Sequence, residues 1–178
     1  MLAEIGVRGS ALRWFDSYLS GRRIATRVQG SVSSLEVTSG VPQGSGLGPL
    51  LFLIYFRNIP SIVSATTALF ADDTLIYRGD CVGQRGTPCC RLGEDLSDLA
   101  TWANDSSVEF NCSKSAELCV GAVPPGSSVK LLGSPLPRVE DMLHLGILLD
   151  RNLRWSAHID RLLRIVTGPV ALCKRLAY

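Results

Sequence analysis

The sequence predicts an α+β fold in which antiparallel strand hairpins pack on helices and a basic helix closes the chain. Three observations carry this reading. Apolar residues recur at helical spacing in three segments, at 2–19, about 90–104 and 156–176. Between them lie short runs that alternate apolar with polar residues and are bounded by Gly, Pro and Ser, as hairpin strands are. The 178 residues are 46% hydrophobic, enough for one domain with a real core or for part of a larger one.

Each element follows from its own pattern. In 2–19, Leu12, Phe15 and Leu19 form a helical stripe with Trp14 and Tyr18 beside it, and Ser20-Gly21 ends the helix. Segments 23–29 and 35–39 alternate through Ile24, Thr26, Val28, Leu35 and Val37, with 30–34 as the turn. The Gly- and Pro-rich stretch 40–49 is a loop, and 50–58 is a buried helix with Pro49 at its first position and Pro60 as its stop. A hairpin spans 66–78, followed by a polar loop at 79–88. The helix at 90–104 presents Leu92, Leu96, Leu99 and Trp102 on one face. Short strands are expected at 118–120 and 129–132 around a loop at 121–128, and another at 143–149. The last helix, 156–176, aligns Ile159, Leu162, Leu163 and Val166, and Gly168-Pro169 should kink or break it.

Charge is unevenly distributed. Residues 1–30 carry a net +3, residues 151–178 a net +5, and the middle 31–150 a net −6. Basic flanks around an acidic centre suit a polyanion held over a metal-binding middle, although solvated helix faces give the same counts. The six cysteines, Cys81, Cys89, Cys90, Cys112, Cys119 and Cys173, include no Cys-x-x-Cys pair and no zinc-ligand spacing. No secretory signal precedes them, so free thiols in a reducing, intracellular compartment are expected, nuclear or cytoplasmic. The longest apolar run, 50–56, is far too short to cross a bilayer, and no membrane partner is expected.

The chemistry concentrates at Asp72 and Asp73, two adjacent carboxylates inside the apolar run 68–77. Side-by-side anions in strand-forming sequence are costly unless a cation meets them, and hard divalent ions take carboxylate oxygens. A hairpin would place both acids at its tip. Acidic dipeptides in turns are common, so the pair alone is a weak signal. A second motif strengthens it. Gly40-Val41-Pro42-Gln43-Gly44-Ser45 is stripped of side chains by glycine, so another backbone can come close, and Gln43 is an exposed amide able to read base edges or sugar hydroxyls.

Segment 40–60, GVPQGSGLGPLLFLIYFRNIP, followed by LFADDTLIY at 69–77, resembles the reverse transcriptases of non-LTR (LINE-type, jockey-like) retrotransposons. The resemblance continues through Ala11-Leu12-Arg13-Trp14-Phe15, Ser17-Tyr18-Leu19-Ser20-Gly21-Arg22, Glu109-Phe110-Asn111 with Lys114, and His144-Leu145-Gly146-Ile147. It also takes in 153–159, and so covers nearly the whole chain. It implies part of a right-hand polymerase palm over 1–150 and the start of a thumb helix over 151–178. The implied activity is RNA-directed DNA synthesis on an RNA template and DNA primer with dNTP and two Mg²⁺ ions. Asp72 would then be the main metal ligand and Asp73 the second. Phe70 would lie near the primer end, and Pro42, Gln43 and Gly44 would contact template or incoming nucleotide. Lys114 would stand near the triphosphate and give a proton to pyrophosphate, though it reads equally as a surface lysine after a strand. His144, Leu145 and Gly146 would form the primer grip, and core packing explains Leu145 as well. His158 reads as a surface or helix-packing residue.

The sequence departs from the family in specific places. The family palm uses a third carboxylate on a strand with a pattern like Phe-Asp-x-x-Lys-Ala-Phe-Asp, and nothing before Gly6 matches it. Asp16 lies on the first helix, in a segment that matches a different part of the family. Gly46 is unusually small, Arg57-Asn58 replaces Asn-Asp, Ser106 stands where tryptophan is common and Ser115 where Cys or Thr is frequent. The 178 residues alone are therefore expected to be inactive. Two alternatives stand beside the polymerase fragment: a dead remnant keeping at most non-specific nucleic-acid binding, and a domesticated interaction module.

Overall fold

A computed structural model describes residues 1–79, 88–121 and 128–176. The loops expected at 79–88 and 121–128 fall largely outside the described residues, as do Cys81 and the side chains of Cys89, Cys90, Lys174 and Arg175. The chain divides into two compact units, one of residues 1–78 with 105–107, the other of 79–104 with 108–178.

In the first unit, helix α1 (Gly9–Leu19) is shorter than expected. Gly6 takes φ +93°, which no right-handed helix accepts, so residues 2–6 form turns instead. Strands β1 (Arg23–Val28) and β2 (Ser31–Glu36) pair antiparallel from Arg23 opposite Glu36 to Val28 opposite Ser31. The turn is therefore Gln29-Gly30, not residues 30–34. Both turn residues have positive φ, 46° and 87°, as a type I′ turn requires, and its twist matches that of the strands. Leu132-Gly133 and Leu145-Gly146 repeat the same pairing of φ signs in the second unit.

Helix α2 (Gly48–Phe56) begins near the expected place, with Pro49 in its first turn. Pro60 does not simply stop a helix. It sits at the start of a short helix, α3 (Ile59–Ile62), where its missing N–H costs nothing. Strands β3 (Thr66–Phe70) and β4 (Asp73–Tyr77) then pair antiparallel, and α3 packs against β3. Leu51, Phe56, Ile59, Val63 and Ala65 are the buried apolar residues here. Phe52 stacks on Phe56 at 4.2 Å between ring centres, and the Tyr55 hydroxyl donates to the Ser106 carbonyl at 2.5 Å.

The second unit opens with α4 (Pro88–Asp105), which buries Leu96, Leu99 and Ala103. A 3₁₀ turn, Cys112–Lys114, leads into β5 (Glu117–Leu118). β6 (Lys130–Leu131) pairs with β7 (Ser134–Pro135), and β5 pairs in parallel with β8 (Arg138–Val139). The parallel pair is clamped by the buried Glu117 carboxylate, which accepts from Arg138 Nε at 3.2 Å and Nη2 at 3.1 Å. The single strand expected at 143–149 is instead two, β9 (Asp141–His144) and β10 (Ile147–Asp150), folded back at Leu145-Gly146.

The closing helix α5 (Ser156–Leu176) runs unbroken through Pro169, contrary to expectation. Proline there removes one backbone hydrogen bond, and the flanking residues hold the helix on both sides. Asp150 starts it. Its carboxylate accepts from the backbone N–H groups of Asn152 at 2.9 Å, Arg154 at 3.0 Å and Trp155 at 3.1 Å. His158 Nδ1 accepts from the Leu148 N–H at 3.3 Å, a packing role that ties α5 to β10. No helix among the described residues is long and apolar enough to cross a membrane. Cys112 and Cys173 are free thiols, as expected.

Candidate active site at the acidic hairpin

Strand register decides where the two acids lie. Phe70 stands directly opposite Asp73, so only Ala71 and Asp72 form the turn between β3 and β4. One face of the hairpin holds Thr67, Leu69, Thr74 and Ile76, all half-buried. The other face carries Thr66, Ala68, Phe70, Asp73, Leu75 and Tyr77, of which only Leu75 is half-buried. Phe70 is 64% exposed. The aromatic ring and one carboxylate thus share the outer face at the tip, with the second carboxylate in the turn beside them.

The turn holds strain. Ala71 has φ 52°, a left-handed conformation that costs a residue with a Cβ about 1 kcal/mol. A tight two-residue turn requires it, because a longer loop would carry the acids away from the strand ends. Asp72 and Asp73 are exposed, and neither has a hydrogen bond or ion pair among the described residues. Arg57, Arg138 and Arg151 all pair with carboxylates elsewhere, so these two acids stand apart as free oxygen donors. Their chemistry fits a hard divalent cation such as Mg²⁺. Among the described residues no group of three His, Cys, Asp or Glu side chains could hold a metal.

The glycine-rich loop is a built turn. The Ser45 N–H bonds to the Pro42 carbonyl at 3.2 Å, and Gly44 has φ +79°, the third-position conformation of a type II turn. Gln43, at its exposed second position, projects from the corner. The Ser45 hydroxyl donates to Pro42 O at 2.8 Å and accepts from the Gly48 N–H at 2.9 Å, which satisfies the first turn of α2. A Cβ on Gly48 would stand 2.7 Å from Pro42 O and 2.8 Å from Ser45 Oγ. Ser45 and Gly48 therefore hold the Pro-Gln-Gly corner against the helix. Sequence reasoning passed over both; a serine three residues before a helix-starting glycine was the available signal.

The remaining candidates lie in the second unit. Lys114 ends the 3₁₀ turn and is exposed. Its backbone N–H bonds to Asn111 Oδ1 at 3.3 Å, as does that of Ser113 at 3.0 Å, so Asn111 fixes the local geometry. Lys114 thus closes a capped turn rather than following a strand. His144 is half-buried opposite Ile147, while Leu145 and Gly146 form the exposed turn of that hairpin. Leu145 is 49% exposed, so core packing does not account for it.

Residues 2–136 match the reverse transcriptase (RNA-dependent DNA polymerase) family, and the chain belongs to it. It is 34% identical over 169 residues to the probable RNA-directed DNA polymerase from transposon X-element of Drosophila melanogaster, covering 87% of this chain and 18% of that protein. It is 32% identical over 156 residues to the probable RNA-directed DNA polymerase from transposon BS of the same species, covering 80% and 17%. It is 32% identical over 155 residues to the RNA-directed DNA polymerase from mobile element jockey of Drosophila funebris, covering 82% and 17%. The chain spans less than a fifth of the length of these curated relatives. No solved structure matches it.

Proposed function

We propose that this chain supplies the metal-binding hairpin and the nucleotide-facing loop of a non-LTR retrotransposon polymerase that copies RNA into DNA inside the cell. The observation that carries the reading is the pair of unpartnered carboxylates, Asp72 and Asp73, at the exposed tip of a strained hairpin. Residues 1–150 would contribute to a right-hand palm and 151–178 would begin the thumb.

In the reaction the primer 3′ oxygen attacks the α-phosphate of the incoming dNTP in line, and the bond to pyrophosphate breaks. Two Mg²⁺ ions, when bound, lower the pKa of the primer hydroxyl and steady the leaving group. Asp72 offers the principal carboxylate to them and Asp73 the second. Phe70, on the same face as Asp73, packs near the primer end. Pro42, Gln43 and Gly44 present a bare corner with one amide toward template or nucleotide. Lys114 offers an ammonium proton to pyrophosphate, and His144-Leu145-Gly146 holds the primer backbone.

These 178 residues carry two carboxylates of a set of three, so by themselves they should bind metal weakly and extend nothing. Titration with Mn²⁺ should broaden the NMR signals of 70–74 first, and Asp72→Ala should abolish the effect. Primer extension on an RNA template with Mg²⁺ should be undetectable. Broadening that ignores Asp72→Ala contradicts the metal reading. Robust extension that Asp72→Ala removes contradicts the need for a third ligand. The alternative, a dead remnant with residual nucleic-acid binding, predicts no selective broadening at the hairpin.

A further inference from the structure

The first unit carries a surface that the hairpin and loop chemistry does not use. On α1, Trp14 stacks on Tyr18 one helical turn later, with ring centres 5.2 Å apart and planes 7° apart. Phe15 meets the same indole edge-on at 5.1 Å and 80°, which fixes its orientation. Trp14 nevertheless remains 51% exposed. A preformed ring stack has little ordering entropy left to lose on binding.

Charge completes the surface. Arg13, Arg22, Arg23 and Arg27 form no ion pair among the described residues. Arg23 and Arg27 lie on one face of β1, with Ala25 between them, while Ile24, Thr26 and Val28 lie on the other. Arg23 is positioned by its Nε, which donates to Ser34 Oγ across the hairpin at 3.1 Å and leaves the outer guanidinium nitrogens available. Arg22 follows Tyr18 by four residues, so the covalent chain keeps their Cα atoms within about 14 Å. An exposed ring stack followed within four residues by the first of three unpaired arginines suits the recognition of single-stranded nucleic acid. There bases stack on rings and phosphates meet cations, with little dependence on sequence.

We propose that Trp14 and Tyr18, with Arg22, Arg23 and Arg27, form an auxiliary platform for single-stranded nucleic acid, in which an unpaired base extends the Trp14–Tyr18 stack and the arginines hold the adjoining phosphates. The proposal deepens the polymerase reading and rests on it, by assigning the contact that holds single-stranded template apart from the acidic hairpin.

The test is fluorescence anisotropy of the 178-residue chain with a labelled oligouridine RNA at several salt concentrations. Trp14→Ala should weaken binding about tenfold without changing the salt slope, and Trp14→Phe should restore most of it. Arg23→Ala or Arg27→Ala should lower the salt slope by about one. Mn²⁺ broadening at residues 70–74 of the parent chain, measured without RNA, reports the metal reading separately, so failure of the catalytic reading is separable from failure of the platform. Circular dichroism establishes folding. If Trp14→Ala unfolds, Tyr18→Ala reads the same stack. Unchanged affinity in the folded aromatic variant overturns the proposal. So does loss of self-association in its place, which would mark the rings as a protein interface.

Discussion

Gly48 shows how one missing Cβ can hold the Pro-Gln-Gly corner in place. Alanine is the better helix former by about 1 kcal/mol. At this position, however, its methyl group would press on a carbonyl and a hydroxyl already bonded to each other, and overpacking of that kind costs about 1–3 kcal/mol. The steric cost wins because Pro42 O is backbone, and Ser45 Oγ could turn away only by breaking its bonds to Pro42 O and the Gly48 N–H. Gly48→Ala is therefore expected to destabilise the fold by about 1–2 kcal/mol in urea denaturation. An unchanged or raised midpoint would show that the Pro42–Ser45 turn is not held as described. Ala71 is the counterpart on the acidic side, where a strained φ of 52° keeps the turn to two residues and the carboxylates at the strand ends.

Among the elements, the turn from β10 into α5 is where pH should act. Burial pushes the Asp150 carboxyl up, but the N–H groups of Arg154, Asn152 and Trp155, with the Arg154 charge, outweigh it and hold the carboxyl below its ordinary value of 3.8. A carboxyl lowered on folding contributes stability that is complete above the ordinary value and is lost as pH falls through the lower one. Backbone amide signals of Asn152, Arg154 and Trp155 should therefore hold steady down to about pH 4 and shift below it. Asp150→Asn should remove that acid-dependent shift, and a transition near neutral pH would contradict the assignment. The same scale shows what was legible in the sequence. The 66–78 hairpin was plain, because two charges interrupt an alternating apolar run. The turns at Gln29-Gly30 and Leu145-Gly146 were hidden. Ser33 and Ser34 look more turn-like than Gln29, and the second pair sits inside a continuous apolar stretch. Pro60 and Pro169 misled because proline's effect depends on its place in the helix. The Ser45–Gly48 clasp depends on a close approach across the loop, which composition does not reveal.

For the whole molecule, family membership follows from the match over residues 2–136. Basic flanks at the two ends of the sequence and an acidic middle agree with a polyanion spanning a metal site, and binding to RNA should weaken steeply with salt for that reason. The central claim is that this chain carries the metal-binding hairpin of an RNA-copying polymerase. It is tested most directly by exchanging the 178 residues for the matching segment of the jockey polymerase and measuring primer extension on an RNA template with Mg²⁺. The account predicts extension by the exchanged polymerase that falls by at least about 10³-fold in Asp72→Ala, as loss of a principal metal ligand should. A folded exchange whose extension is untouched by Asp72→Ala would contradict it.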